Sequence, residues 1–430
     1  MINETVILLA PLQYRVEHRL SKYKYVESYL VTTIHSKLYY YEPLQKIFSK
    51  VIAYDYPKRL AEIGVKGINE EVINLVRKAH PKYAIWISAN YEFRESTFDI
   101  IRKEGAAVVG LFFDDELRFD TYSKWWIPHL DYCVTNTIEA VSRYRELNAR
   151  CILAVPIMGG VRVGRDWSNI EEKYDISFVG TITPGRKQYI NELKNRNIPT
   201  HLFGGSGKYV SFEKMIDIFK SSRINLNFSK AWGCSKKLQI KGRIFEVCLA
   251  GGFLLTEYVP GIENYFEIDK EIVCFHNTEE MVDKIIYYLN HDEERRSIAQ
   301  SGWRRATSEY TSFHIMSRVF QEIEENSSEG QKNMLKQLKM PLQIRKRFSN
   351  YYLNWGVAFL LENCKSLWKD ALVLSISYNP LNIRAWYCHI VGFLPSLMRP
   401  PLLKWYKTIG KLRRALFSWV GSIPYLKNEN

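Results

Sequence analysis

The chain has no run of 18 apolar residues, so no segment reads as a membrane-spanning helix. Its seven cysteines are odd in number, widely scattered and never spaced Cys-x-x-Cys. Cys133, Cys248 and Cys274 sit in apolar runs, which reads as packed, reduced thiols in a cytosolic protein and argues against a disulfide frame or a zinc site. The nine histidines are scattered and none pairs at metal-binding spacing; His129 and His276 read as structural. No Ser-His-Asp arrangement is discernible. The opening MINETVILLAPLQ has neither the basic start nor the small-residue cleavage site of a secretion signal and is expected to form a strand. Excess charge is missing from most of the chain. Residues 331–430 hold 16 Lys or Arg against three acids, a surplus of +13 out of +14 for the whole protein. The remaining 330 residues are about neutral, which speaks against a nucleic-acid partner and for a tail that meets something acidic, such as the anionic inner face of a membrane.

What is present is alternation. Strands are expected at 4–11, 51–54, 83–87, 106–113, 131–135 and 151–155, with helices at 39–49, 70–80, 96–104 and 139–147. A polar, aromatic, helix-like stretch with Tyr14, Arg15, His18 and Arg19 follows the first strand. After a glycine-rich link at Gly159, Gly160 and Gly164 the pattern restarts, with strands at 175–179, 201–203, 224–228, 253–255 and 272–275. A long helical stretch from Thr278 to Glu325 breaks near His291. The expectation is an α/β protein of two tandem Rossmann-like sheets, residues 1–160 and 165–325, with a ligand cleft at the carboxyl ends of their strands. Asn326 to Gly330 reads as a linker to a basic, aromatic, helical tail, 331–430. There Leu402, Trp405, Ile409, Leu412, Leu416 and Trp419 recur at helical spacing beside Lys404, Lys407, Lys411, Arg413 and Arg414, as in an interfacial helix or one packed on the protein.

The stretch QIKGRIFEVCLAGGFLLTE, from Gln239 to Glu257, carries the chemistry. It reads as a helix, a left-handed cap at Gly251-Gly252 and a buried strand. Lys241 and Arg243 suit a diphosphate, Glu246 suits a sugar or ribose hydroxyl, and Gly251, Gly252 and Thr256 are expected near the same ligand. A second anion site is expected where the 175–179 strand runs through Gly180 and Thr181 into Pro184-Gly185-Arg186 and a helix. Arg186 and Lys187 stand where a P-loop requires lysine and a hydroxyl, so a P-loop NTPase is rejected. Gly204 to Gly207 reads as a flexible turn. In the first half, Asp114 and Asp115 end the strongest strand, and either is placed to act as general base on an acceptor hydroxyl. The same acids, with Glu116, also fit a helix cap or a divalent-metal site.

FVGTITPGR, QIKGRIFEVCLAGGFLLTE, the Gly261-Ile262-Glu263 turn and EEMVDKIIYYLNHDEERRSIAQSGWRR resemble the C-terminal domain of GT-B glycosyltransferases, most closely the CgeB-like, spore-maturation group. YEPLQ near Tyr41, FFDDELRF and the 131–135 strand extend the resemblance to about three quarters of the chain. The resemblance implies two facing Rossmann domains, a nucleotide-diphosphate sugar on the second and a glycan or lipid-linked acceptor on the first. It places Arg186 and Arg243 near the diphosphate. Glu246 matches the second glutamate of a Glu-x7-Glu motif, but Leu238 occupies the position of the first, which leaves the stereochemistry open. The expected protein is a hexosyltransferase-type enzyme of cell-surface polysaccharide synthesis, metal-independent and without cofactor, cytoplasmic and peripheral to the membrane. A nucleotide-sugar epimerase and a non-catalytic partner in glycan assembly are the alternatives.

Overall fold

The computed structural model describes residues 1–12, 20, 36–155, 160–204, 210–231, 234–326, 338–364 and 366–403. The Tyr14–Arg19 stretch, Gly159, Gly205 to Gly207, most of the 326–330 linker and the terminal pattern from Lys404 to Trp419 lie outside the described residues.

The first sheet contains β1 (Ile2–Ala10), β2 (Phe48–Asp55), β3 (Tyr83–Ile87), β4 (Ala107–Phe112), β5 (Tyr132–Thr135) and β6 (Cys151–Leu153) in the order β2-β1-β3-β4-β5-β6. Every pairing is parallel. A parallel sheet is covered on both faces, so its strands read as continuous apolar runs. Val6 to Ala10 are accordingly all fully buried. Gly110 is required in β4, because a Cβ there would meet the Leu130 side chain at 2.7 Å.

The second sheet contains β7 (Tyr174–Val179), β8 (His201–Phe203) and β9 (Ser222–Asn227), then, after a short antiparallel hairpin of β10 (Lys230–Ala231) and β11 (Cys234–Leu238), β12 (Leu254–Glu257) and β13 (Val273–Phe275). Its order is β13-β12-β9-β7-β8, again all parallel. Polar side chains at its centre satisfy one another. Ser177 Oγ donates to Asn225 Oδ1, and Asn225 Nδ2 donates to the carbonyls of Phe219 and Phe253. The architecture is therefore α/β with two parallel sheets and a helical C-terminal region, as the alternation implied.

Two helical segments depart from the sequence expectation. The helix expected from Glu70 begins at Tyr56 and runs to Ala79, kinked at Gly64. Pro57, Gly64 and Gly67 depress helix propensity along its first half, but Pro57 is tolerated in the first turn, and burial of Leu60, Ala61, Val65 and Ile68 decides the conformation. Gly64 adopts φ +73°, and the bend seats Leu367 beside it. The helix expected over 39–49 stops at Ile47, and Phe48 already belongs to β2. The β10–β11 hairpin was not expected at all.

The chain returns to the first sheet twice. The Ser312–Glu325 helix leaves the second domain and covers one face, with the Phe320 ring 4.9 Å from Phe48 and 5.5 Å from Tyr83. Glu324 on this helix accepts from Lys82 Nζ at 2.9 Å and Tyr83 OH at 2.8 Å. The other face is covered from the C-terminal region. Leu342–Leu361, Leu367–Tyr378 and Ile383–Val391 are helices, and their buried residues share one core with Trp86, Phe98 and Trp126. The Phe348 ring packs, tilted, 4.2 Å from Tyr91 and 5.7 Å from Trp126. Residues 342–391, grouped by sequence with the basic tail, are thus part of the first domain's core.

Phe348→Ala is expected to destabilise the first domain by about 3–5 kcal/mol, measured by urea denaturation followed by near-ultraviolet circular dichroism. An independent tail would leave the unfolding midpoint unchanged.

Candidate functional site

The carboxyl ends of β7, β8, β9 and β12 form one edge of the second sheet, and the glycine turns after β7 and β8 lie there. Gly204, after β8, has φ +80°, and a Cβ on it would come 3.5 Å from the backbone nitrogen of Gly180, after β7. The two turns therefore approach each other as bare backbone. Thr181 is exposed, and its carbonyl accepts a hydrogen bond of 2.8 Å from Arg186 Nη1. Arg186, in the first turn of the Pro184–Asn195 helix, lies over the Phe178 ring at 5.8 Å, and its buried Nε has no partner among the described residues.

Lys241 and Arg243 reach the same edge from the start of the Gly242–Leu249 helix. The Lys241 ammonium is pushed down to about 8, first by burial and then by the Arg186 charge, against the pull of Asp114, Glu116 and Glu257. Burial, then the Arg243 charge, lowers Arg186 as well, with Glu257 opposing. Arg186 thus lies close enough to both Lys241 and Arg243 to feel like-charge repulsion, at a helix N-terminus beside a glycine turn. An anion placed among them would relieve that repulsion and meet converging donors.

Two carboxylates complete this side. Glu246 is buried; its Oε2 pairs with Arg243 Nη1 at 2.7 Å, and its Oε1 accepts from Tyr39 OH at 2.9 Å. Tyr39 belongs to the first domain, 207 positions away, so Glu246 is clasped across the domain boundary. Burial, then the Glu246 charge, raises the Tyr39 phenol well above its ordinary value, so it is a donor here. A carboxylate oxygen retains a second lone pair, which leaves Glu246 able to take a ligand hydroxyl also. Glu257 ends β12 and accepts from Tyr189 OH at 2.5 Å and from the Ser229 backbone N–H at 2.9 Å.

The first domain faces this edge through the loop after β4. Gln239 Nε2 donates to Asp114 Oδ1 at 3.1 Å, and Gln239 Oε1 in turn accepts from Lys241 Nζ. Lys237 Nζ donates to the Glu116 carbonyl at 2.5 Å. Beside these contacts lies a cleft of about 380 Å³, with Glu116, Thr137 and Arg143 on one wall and Lys237, Leu238 and Pro260 on the other.

The expected residues divide clearly. Gly180, Thr181, Arg186, Lys241, Arg243 and Glu246 gather on one edge. Asp114 lies opposite them, exposed, at φ +58°. Asp115 does not join them. It is 1% exposed, and its carboxylate accepts from Ser123, Thr135 and Tyr144 hydroxyls at 2.5, 2.7 and 2.9 Å. Both oxygens are committed to holding β5 and the Ile138–Glu146 helix, so its assignment as general base is corrected to a structural one. The three acids do not converge on a metal either, since Asp115 turns inward, Asp114 toward Gln239 and Glu116 toward Thr137.

Thr256 is fully buried, accepting from Asn227 Nδ2 at 2.9 Å, and cannot reach a ligand. Gly251 forms the expected left-handed cap, with Gly252 after it, but at the amino end of β12, on the edge of the sheet away from the cleft. They are packing glycines. A Cβ on Gly251 would meet Arg165 at 2.5 Å, and one on Gly252 would meet the Phe219 carbonyl at 2.6 Å. Tyr39 and Gln239 were missed because their roles come from contacts across the domain boundary. Glu257 was visible just past its strand, and its position at a carboxyl end was the signal.

A family described as glycosyl transferase-like matches residues 186–321. No curated protein sequence matches the chain. Among solved structures it is similar to the pneumococcal O-GlcNAc transferase GtfA in complex with UDP and GlcNAc, at 10% identity over 60% of each chain with a TM-score of 0.43. It is similar to Anabaena HepE in complex with UDP, at 8% identity over 75% of this chain and 100% of that one, TM-score 0.43. A putative UDP-N-acetylglucosamine 2-epimerase from Listeria monocytogenes matches at 8% identity over 77% of this chain and 98% of that one, TM-score 0.44. The chain thus spans 60% of the length of the pneumococcal enzyme, and the family match covers the part of the second domain that begins at Arg186.

Proposed function

We propose that the protein is a glycosyltransferase of the CgeB-like type that moves a sugar from a nucleotide-diphosphate donor to a hydroxyl of a glycan or lipid-linked acceptor. The observation that carries this reading is the crowding of Arg186, Lys241 and Arg243 around the Gly180 turn. Those side chains suit a diphosphate, Glu246 suits a donor hydroxyl, and the match of residues 186–321 to a glycosyl transferase-like family supports the same assignment.

In this reaction the acceptor oxygen bonds to the anomeric carbon as the bond from that carbon to the diphosphate oxygen breaks. The diphosphate leaves with the bonding pair, and the three cations stabilise its growing charge more than they stabilise the bound donor. The acceptor's proton passes to a carboxylate on the first-domain side, for which Asp114 is the exposed candidate.

Binding is read by calorimetry with UDP-, GDP-, ADP-, CMP- and dTDP-sugars. One of these is expected to bind, and Arg186→Ala and Arg243→Ala are expected to weaken it about tenfold or more, in line with ~1.5–3 kcal/mol for a hydrogen bond to a charged group. No binding by any of the five would overturn the assignment. Solvent deuterium appearing in the recovered donor sugar would mark an epimerase instead.

The pH dependence has a definite sign. Lys241 loses its proton near pH 8 in the free protein, whereas the diphosphate stays fully ionised. Donor affinity is therefore expected to be flat below pH 8 and to fall by up to about tenfold per unit above it. Lys241→Met should bind more weakly at neutral pH and lose this slope.

Asp115→Ala is expected to cost about 3 kcal/mol or more of stability by stranding buried hydroxyls, while donor affinity of the folded variant stays within about twofold of wild type. A normal melting temperature with abolished turnover would return Asp115 to the catalytic role.

A further inference from the structure

The far end of the C-terminal helices carries an apolar surface that is exposed among the described residues. Leu381, Ile383, Trp386, Ile390, Phe393 and Leu397 are between 46% and 89% exposed. Ile383, Trp386 and Ile390 follow one another at steps of three and four on the Ile383–Val391 helix, so they share one face. The opposite face of that helix, through Ala385, Cys388 and Val391, is buried in the first-domain core. Single exposed apolar residues are ordinary, but six large ones within 17 positions make a patch of the kind that marks an interaction site.

Charge identifies the partner. Within the described part of this region, 338–403, the only acids are Glu362 and Asp370, and the whole 331–430 segment carries 16 Lys or Arg against three acids. Lys369 Nζ sits 6.0 Å from the Phe393 ring, at the border of the patch. Trp386 lies in the apolar face, and its indole N–H is held by the Pro380 carbonyl at 2.8 Å. An apolar face with tryptophan and phenylalanine, bordered by Lys369, with Arg384 and Arg399 in the same stretch and no acid between 371 and 403, matches the boundary between acyl chains and anionic headgroups. No helix among the described residues is long and apolar enough to span a bilayer, so the contact lies in the plane of the interface.

We propose that residues 381–398 form an interfacial docking surface for an anionic lipid bilayer, held on the first domain by the Leu342–Leu361 and Leu367–Tyr378 helices. The surface is independent of whether the cleft transfers a sugar.

The test is flotation of the full-length protein with vesicles of phosphatidylcholine alone or mixed equally with phosphatidylglycerol. Wild type is expected to float with the anionic vesicles only, and less so as salt screens the attraction. The Ile383→Ser/Ile390→Ser/Leu397→Ser variant, which changes exposed positions only, is expected to lose at least tenfold in partitioning with its melting temperature and monomeric mass unchanged. Failure of wild type to float, or flotation unaffected by the triple variant, overturns the proposal. So does a wild-type dimer that the variant converts to monomer, which would identify a second copy as the occupant. A melting temperature lowered by several degrees would likewise overturn it, because the face would then be covered by the protein's own chain.

Discussion

A parallel sheet has two apolar faces, and both must be kept from water. In the first domain that requirement is met with material from the far end of the chain. The Ser312–Glu325 helix covers one face and the Leu342–Leu361 helix the other. Because the first of these helices also continues the second domain, closing the first sheet ties the two domains together. Residues from both sheets, among them Val6, Leu8, Val179 and Leu254, consequently share one buried cluster. The position of the cleft follows from this arrangement, since the loop after β4 and the hairpin leading to the Gly242–Leu249 helix are brought face to face.

The cleft itself is electrostatically unfinished. Arg186 and Lys241 each pay for burial and for a neighbouring cation, and their carboxylate neighbours offset only part of this. Cores normally avoid such crowding. Beside bare glycine backbone and a helix N-terminus, such crowding suits an anionic ligand. Glu246 shows how the same site depends on both domains. Its carboxylate is shared between Arg243 on its own helix and Tyr39 from across the boundary, so a ligand hydroxyl reaching Glu246 would also sense how the domains are held.

Strand positions were legible because fully buried parallel strands are short apolar runs, and β3 and β8 matched to the residue. The cation cluster was legible because Arg186, Lys241 and Arg243 flank glycine-bearing turns within local motifs. The errors fell where a local signal has two meanings. Asp115 and Thr256 are polar residues at the carboxyl ends of strands, a description that fits a catalytic group and a satisfied core group equally. Only their hydrogen-bond partners, Tyr144 and Asn227 among them, separate the two. Gly251 was read correctly as a cap, but a cap at the start of a strand faces the edge opposite the ligand.

The chain's own residues thus determined the alternation, the two parallel sheets, the glycine turn at Gly180 and the basic surplus beyond residue 330, because each follows from hydrophobic periodicity, backbone freedom or charge counted along the chain. Tertiary structure decided which acids stay accessible, that Tyr39 reaches Glu246, and that 342–391 cover the first sheet while Ile383, Trp386 and Ile390 stay exposed among the described residues. Those outcomes depend on contacts between residues hundreds of positions apart, and no local pattern encodes which of two apolar faces will find a partner.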